Sequence, residues 1–152
     1  MPISITYSPI GPLELEEKRE KIVRVSWVSY PFAPDEPKTP LLKETCQALS
    51  DYFAGRAKPF QLPLLPNGST FQKKVWRKIQ AIPLGHTRTY RDLAISLGSA
   101  PRAVGMACAA NPIPIIIPCH RVVSTTSLGG YSGGVGLETK VFLLHLEGAI
   151  IG

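Results

Sequence analysis

Three cysteines, Cys46, Cys108 and Cys119, are the strongest nucleophiles in this chain of 152 residues, and Cys119 alone is followed directly by a histidine and an arginine, in Cys119-His120-Arg121-Val122-Val123. A thiol attacks as its thiolate, so a working nucleophile needs a base or a positive charge close by. Past Asn111-Pro112, the residues before it, Ile113-Pro114-Ile115-Ile116-Ile117-Pro118, are apolar but spaced by prolines. They can form neither a long helix nor a central strand and read as buried irregular chain. In an extended segment adjacent side chains point to opposite sides, so unless the backbone turns sharply His120 is expected to reach Cys119 through water rather than directly. Its other nitrogen would need an orienting partner, for which Glu147 is a candidate. Local chemistry leaves the alternatives open: a buried core cysteine, a satisfied core histidine and a solvated helix end. Cys46, on the apolar face of its helix, reads as a core cysteine.

An odd number of cysteines without a C-x-x-C spacing argues against both a disulfide framework and a zinc knuckle. No metal and no cofactor are expected, and a reducing compartment, the cytoplasm or a prokaryotic nucleoid, fits best. No basic segment followed by an apolar run opens the chain and no apolar stretch is long enough to span a bilayer, so neither signal peptide nor membrane contact is expected. Seventeen Lys and Arg against eleven Asp and Glu give a net charge of +6, a balance that favours polyanionic partners. The charge is concentrated: Lys73, Lys74, Arg77, Lys78, Arg88, Arg91 and Arg102 are opposed over that stretch only by Asp92.

The elements that must position these groups fall into two parts. Ile3 to Val28 reads as two or three strands, with alternation in Ile3 to Tyr7 and Val23 to Trp27 and a turn at Ser8 to Pro12. After a Pro-rich stretch from Tyr30 to Pro40, the spacing of Leu42, Cys46, Leu49, Tyr52 and Phe53 predicts a helix closed by Gly55. Pro59 to Gly68 reads as an extended linker, which sets an α/β domain over 1–65 and a second domain over 66–152. In the second, Ser69 caps a helix with Phe71, Val75, Trp76 and Ile79 on one face. Thr89 and Asp92 form a capping box for a helix stopped by Gly98. Pro101 starts a helix of small residues through Ala110. The last two, joined by a tight turn, make a candidate helix-turn-helix. A Gly-rich loop, 129–134, precedes a final helix from Leu137 to Glu147, with Val141 and Leu144 on the core.

The run from Asn111 to Val123 resembles the active-site signature of the O6-alkylguanine-DNA alkyltransferases, the methylated-DNA protein-cysteine methyltransferases. Phe71-Gln72 with Val75-Trp76, Tyr90, Arg102-Ala103-Val104-Gly105, Tyr131-Ser132-Gly133-Gly134 and Leu143-Leu144 to Glu147-Gly148 agree in order and spacing. The resemblance is strong from about Ser69 to Gly148 and looser over 1–60. It implies an α+β fold, a small RNase H-like N-terminal domain followed by a mostly helical, winged helix-turn-helix-like C-terminal domain. It also implies a suicide reaction, the irreversible, stoichiometric transfer of an alkyl group from O6-alkylguanine, or O4-alkylthymine, in double-stranded DNA to Cys119, by a monomer.

Carried over by position, His120 would deprotonate Cys119 through water, Glu147 would hold the imidazole, and Tyr90 would donate toward guanine N3 as the base leaves. Asn111 would tie the recognition helix to the turn before Cys119. The base must be flipped out of the stack, with Arg102 filling the gap and Ala103 and its small neighbours letting the helix lie close to the backbone in the minor groove. Val122 would offer its carbonyl to the exocyclic amine, and Tyr131, Ser132 and Gly133 would form the pocket wall. The chain departs from many relatives in a shorter turn before Arg102, in Ala109 and Ala110 where a basic residue is common, and in Cys108, read as packing, where Met or Leu is common. Two rival readings are a non-enzymatic lesion binder of the alkyltransferase-like kind, which lacks the nucleophile, and a cysteine hydrolase, for which no oxyanion-hole motif is evident.

Overall fold

The computed structural model describes residues 2–29, 36–56 and 58–149. The first part of the Pro-rich stretch, Tyr30 to Asp35, lies outside the described residues. The chain divides into two compact units, Met1–Pro66 and Asn67–Gly152, and its fold is mixed α and β, a small sheet domain and then a largely helical one.

In the first unit β1 (Ile3–Thr6), β2 (Leu13–Lys18) and β3 (Lys21–Trp27) form an antiparallel sheet in that order, backed by α1 (Pro40–Phe53). The turn between β2 and β3 is made by Arg19 and Glu20, both at positive φ (54° and 59°). Tight hairpins favour that geometry, although it is usually supplied by Asn or Gly. The register shifts between Glu16 and Glu17, and such a bulge breaks strict alternation, so that Ile22 and Val25 are both buried. With Leu13, Leu15, Leu42, Leu49 and Tyr52 they make the core. Two expectations are corrected here. The stretch read as an extended linker between the two domains is pinned to the sheet edge of the first, Ile22 N–H donating to Pro63 and Leu65 N–H to Ile22, both at 2.8 Å. Cys46 is only half-buried; the core position on that turn of α1 belongs to Thr45, whose hydroxyl donates to the Leu41 carbonyl.

The second unit holds α2 (Thr70–Gln80), α3 (Tyr90–Leu97), α4 (Pro101–Ala109) and α5 (Leu137–Leu146). Ser69 with Gln72 and Thr89 with Asp92 close capping boxes, and Gly98 ends α3 in the left-handed conformation. The indole of Trp76, on the buried face of α2, donates to the Ala107 carbonyl of α4 at 2.9 Å. Gly68 accommodates that ring, since a Cβ there would come within 2.4 Å of it. Two two-residue strands, β4 (Arg88–Thr89) and β5 (Val122–Val123), pair in parallel. Val141 is only half-buried, while Thr139, Lys140, Leu143 and Leu144 carry the inner face of α5.

Trp76→Phe leaves the buried Ala107 carbonyl without its donor, at a cost of about 1–3 kcal/mol. Urea unfolding should show a lower midpoint at unchanged slope; an unmoved midpoint would mean that the indole bond contributes nothing.

Candidate active site

The parallel pair β4–β5 is what brings the reactive groups together. Tyr90 follows β4 directly, and Cys119, His120 and Arg121 precede β5 as one turn of 3₁₀ helix. The extended course expected for these three residues is therefore corrected. The N–H of Arg121 closes the turn on the Pro118 carbonyl, because chain leaving the proline-spaced run must bend sharply to enter β5. Residues 113–120 are all buried, as expected for irregular chain lacking a ladder of its own.

Asn111 clasps this chain at both ends. Its Oδ1 accepts from Ile113 N–H at 2.9 Å and its Nδ2 donates to the Ile117 carbonyl at 2.8 Å. Between them Ile115 adopts φ +74°, a conformation that costs a β-branched residue about 1–3 kcal/mol and persists only where its surroundings hold it. The clasp and complete burial of Ile113, Ile115 and Ile117 do so.

Behind the cysteine, Glu147 is wholly buried at the side chain and shared by two partners. His120 Nε2 lies 2.6 Å from Oε2. Arg121 holds both carboxylate oxygens, Nε to Oε1 at 2.8 Å and Nη2 to Oε2 at 3.0 Å, while its Nη1 donates to the Ile82 carbonyl at 2.7 Å. The fork of Arg121 neutralises the carboxylate. Burial accordingly dominates at His120 and pushes its pKa down, with Glu147 partly opposing. The ring is neutral, and because a carboxylate only accepts, its proton sits on Nε2. Nδ1 is left as a buried acceptor with no partner among the described residues. Arg121, expected as a charge beside the thiol, is turned to Glu147.

In front of Cys119 lies a cavity of about 430 Å³ lined by Tyr90, Gly105, Cys108, Ala109, Cys119, Gly130, Tyr131 and Ser132. Such a volume is that of a small-ligand pocket. Gly129, at φ +74°, rests on the Tyr90 ring, where a Cβ would approach to 2.9 Å. Burial, followed by the charges of Cys108 and Cys119, raises the Tyr90 phenol to about 12, which leaves it a proton donor at neutral pH. Burial raises Tyr131 as well. The Ser132 hydroxyl faces the Ala109 carbonyl at 3.5 Å.

Of the residues singled out from sequence, Tyr90, Cys119, Tyr131 and Ser132 meet in the cavity, and Asn111, His120 and Glu147 support it from behind. Gly133 stands outside the lining and accepts from Gly136 N–H within the loop. Arg102 is exposed near the start of α4, followed by the half-buried Ala103. With Arg91, Pro101, Ser124 and Thr125, Arg102 lines a second cavity that shares Tyr90 and Gly105 with the first.

Sequence reasoning missed Lys140. It is fully buried, and its Nζ donates to the Val122 carbonyl at 2.7 Å and the Gly130 carbonyl at 3.0 Å, 5.7 Å from the centre of the Tyr90 ring. The carbonyl assigned to the ligand at Val122 thus already serves Lys140, with one lone pair to spare. The available signal was spacing: Lys140, Leu143, Leu144 and Glu147 share one helical face, so an ionisable residue stood at each end of an apolar stripe. Lys140 has no acid within ion-pair distance among the described residues, and burial lowers its pKa. At Cys119 burial raises the thiol, with the Asn111 side chain and then Lys140 pulling the other way.

The reactivity of Cys119 toward iodoacetamide should therefore rise with a midpoint above about 8.5, the pH at which a free thiol is half ionised. In Lys140→Met the rise should move to still higher pH. Identical profiles in the two proteins would remove Lys140 from the account.

Residues 70–149 match the DNA-binding domain, and residues 3–66 the ribonuclease-like domain, of 6-O-methylguanine DNA methyltransferase. The chain is 42% identical to the constitutive methylated-DNA--protein-cysteine methyltransferase of Bacillus subtilis, over 92% of this chain and 91% of that one. It is 41% identical to the methylated-DNA--protein-cysteine methyltransferase of Methanosarcina acetivorans, over 96% and 97%. Among solved structures it resembles Mycobacterium tuberculosis OGT in complex with DNA, with a TM-score of 0.85 and 36% identity over 95% of this chain and 91% of that one.

Proposed function

The chain belongs to the 6-O-methylguanine DNA methyltransferase family, and from that membership and the geometry of its site we propose how it acts. It is a methylated-DNA--protein-cysteine methyltransferase that repairs O6-alkylguanine in duplex DNA by direct reversal, moving the alkyl group to Cys119. The observation that carries this reading is a buried cysteine opening on a small-ligand cavity with a neutral histidine and its carboxylate behind it.

His120 Nδ1, the buried nitrogen with a free lone pair, takes the thiol proton through one bridging water, and Glu147 steadies the imidazolium that forms. Lys140 and the Asn111 amide favour the thiolate at Cys119. Sulfur attacks the carbon on O6; the C–O bond breaks and its electron pair goes to the departing guanine. The Tyr90 phenol, kept protonated by its surroundings, donates toward N3 of that base, while Ser132 and the spare lone pair of Val122 hold its edge. The product is a thioether. It has no group that water can displace at a useful rate, so one molecule repairs one lesion.

The reaction needs an extrahelical base. Arg102, exposed and without a protein partner among the described residues, enters the stack from α4 beside the cavity that would receive the base. Small residues along α4 let the helix approach the minor-groove backbone without reading sequence. The alternative of a lesion binder without chemistry is not favoured, since such proteins lack the cysteine that this chain carries at 119. An odd number of cysteines without a C-x-x-C spacing suits a reducing cytoplasm, and no helix among the described residues is long and apolar enough to cross a membrane. The protein acts as a monomer.

Incubation with a duplex containing a single O6-methylguanine should add one methyl group to the peptide holding Cys119 and none in Cys119→Ala. Transfer by the alanine variant, or repeated turnover by the wild type, would overturn the reading.

A further inference from the structure

The cavity contains a second sulfur that the transfer does not use. Cys108 lies on α4, buried, and lines the same cavity as Cys119. Asn111 connects the two: its backbone N–H donates to the Cys108 carbonyl at 3.2 Å, and its Nδ2 shares the Ile117 carbonyl with the N–H of Cys119. The neighbours of Cys108 on that wall, Gly105 and Ala109, are small. Each sulfur, when ionised, acts on the Tyr90 phenol, and the Cys119 charge acts on Cys108. An alkyl group newly bonded to Cys119 therefore extends into a space bounded by another nucleophile.

We propose that Cys108 is a second alkyl acceptor, closing an internal bridge when the group transferred to Cys119 still carries a leaving group on its second carbon, as a 2-haloethyl group does. The proposal rests on Cys119 being the first acceptor. After the first transfer the side chain is Cys119–S–CH2–CH2–X. The sulfur lone pair displaces halide to give a three-membered cyclic sulfonium. The Cys108 sulfur then attacks a ring carbon, one ring C–S bond breaks, and the thiol proton passes to water. In sum one C–X bond is exchanged for one C–S bond, with release of halide and a proton and no change of oxidation state. A cyclic sulfonium takes neutral nucleophiles, water among them, so Cys108 can react as the thiol that burial makes it. Being held against the same cavity gives it an effective concentration far above that of a diffusing competitor. Cys108, read from sequence as packing, thus keeps a bifunctional lesion from tethering the protein to DNA.

The test uses the whole protein and 1,2-dibromoethane, which loads Cys119 with a 2-bromoethyl group without DNA, read by intact mass and peptide mapping. The wild type should gain one ethylene unit in place of two thiol hydrogens, joining the peptides of Cys108 and Cys119. Cys108→Ala and Cys108→Ser should carry a hydroxyethyl group on Cys119 instead. A hydroxyethyl group alone on wild-type Cys119, or a bridge to Cys46, overturns the proposal. A parallel wild-type sample with O6-methylguanine duplex reports separately on Cys119 as acceptor, so failure there is not confused with failure of the bridge.

Discussion

A single buried carboxylate organises the reactive end of this protein. Glu147 is shared between the fork of Arg121 and the ring of His120, and both come from the turn that carries Cys119. An isolated carboxylate at that depth would be protonated or would drive its neighbour to imidazolium. Arg121 removes that demand, and burial then keeps His120 neutral with its proton committed to Nε2. The chemistry depends on this division of labour: one cation satisfies the acid, another, Lys140, stands by the thiol, and the imidazole between them is free to act as a base.

The carboxylate can serve only if the turn is delivered to it, and that is the task of the backbone around it. Two residues of parallel strand join the chain before Tyr90 to the chain after Arg121. The Asn111 clasp holds the buried run before Cys119 in a conformation that Ile115 would not choose. Lys140 fastens the far wall, joining the Val122 carbonyl of β5 to Gly130 of the loop. Such a site is assembled before any ligand arrives, so little ordering remains to be done when a base enters.

How far the sequence could be read follows from the range of the interactions involved. Helices α2, α3 and α4 were legible because their signals are local: Ser69 with Gln72, Thr89 with Asp92, Gly98 and Pro101 each act within one turn. Strand β2 was less so, since Leu13–Lys18 is rich in helix formers and its turn uses Arg19 and Glu20 where a glycine would have announced it. The pairing of Pro63 and Leu65 with Ile22 and the pairing of β4 with β5 leave no local mark at all. At the site, the motif around Cys119 supplied the nucleophile, residue chemistry offered Glu147 as a candidate partner for His120, and family resemblance supplied Tyr90 and Asn111. The fork of Arg121 on Glu147 and the burial of Lys140 went unread, because periodicity assigns charged residues to solvent and says nothing of partners 26 or 18 residues away.

The central claim is that burial keeps His120 neutral, while Glu147, satisfied by Arg121, accepts the Nε2 proton and leaves Nδ1 available as the base. Nitrogen-15 NMR of the imidazole across neutral pH tests it most directly. The account predicts a neutral ring protonated at Nε2, with Nδ1 bare, persisting below the pH at which a free histidine becomes charged. A ring doubly protonated at pH 7, or protonated at Nδ1, would contradict it.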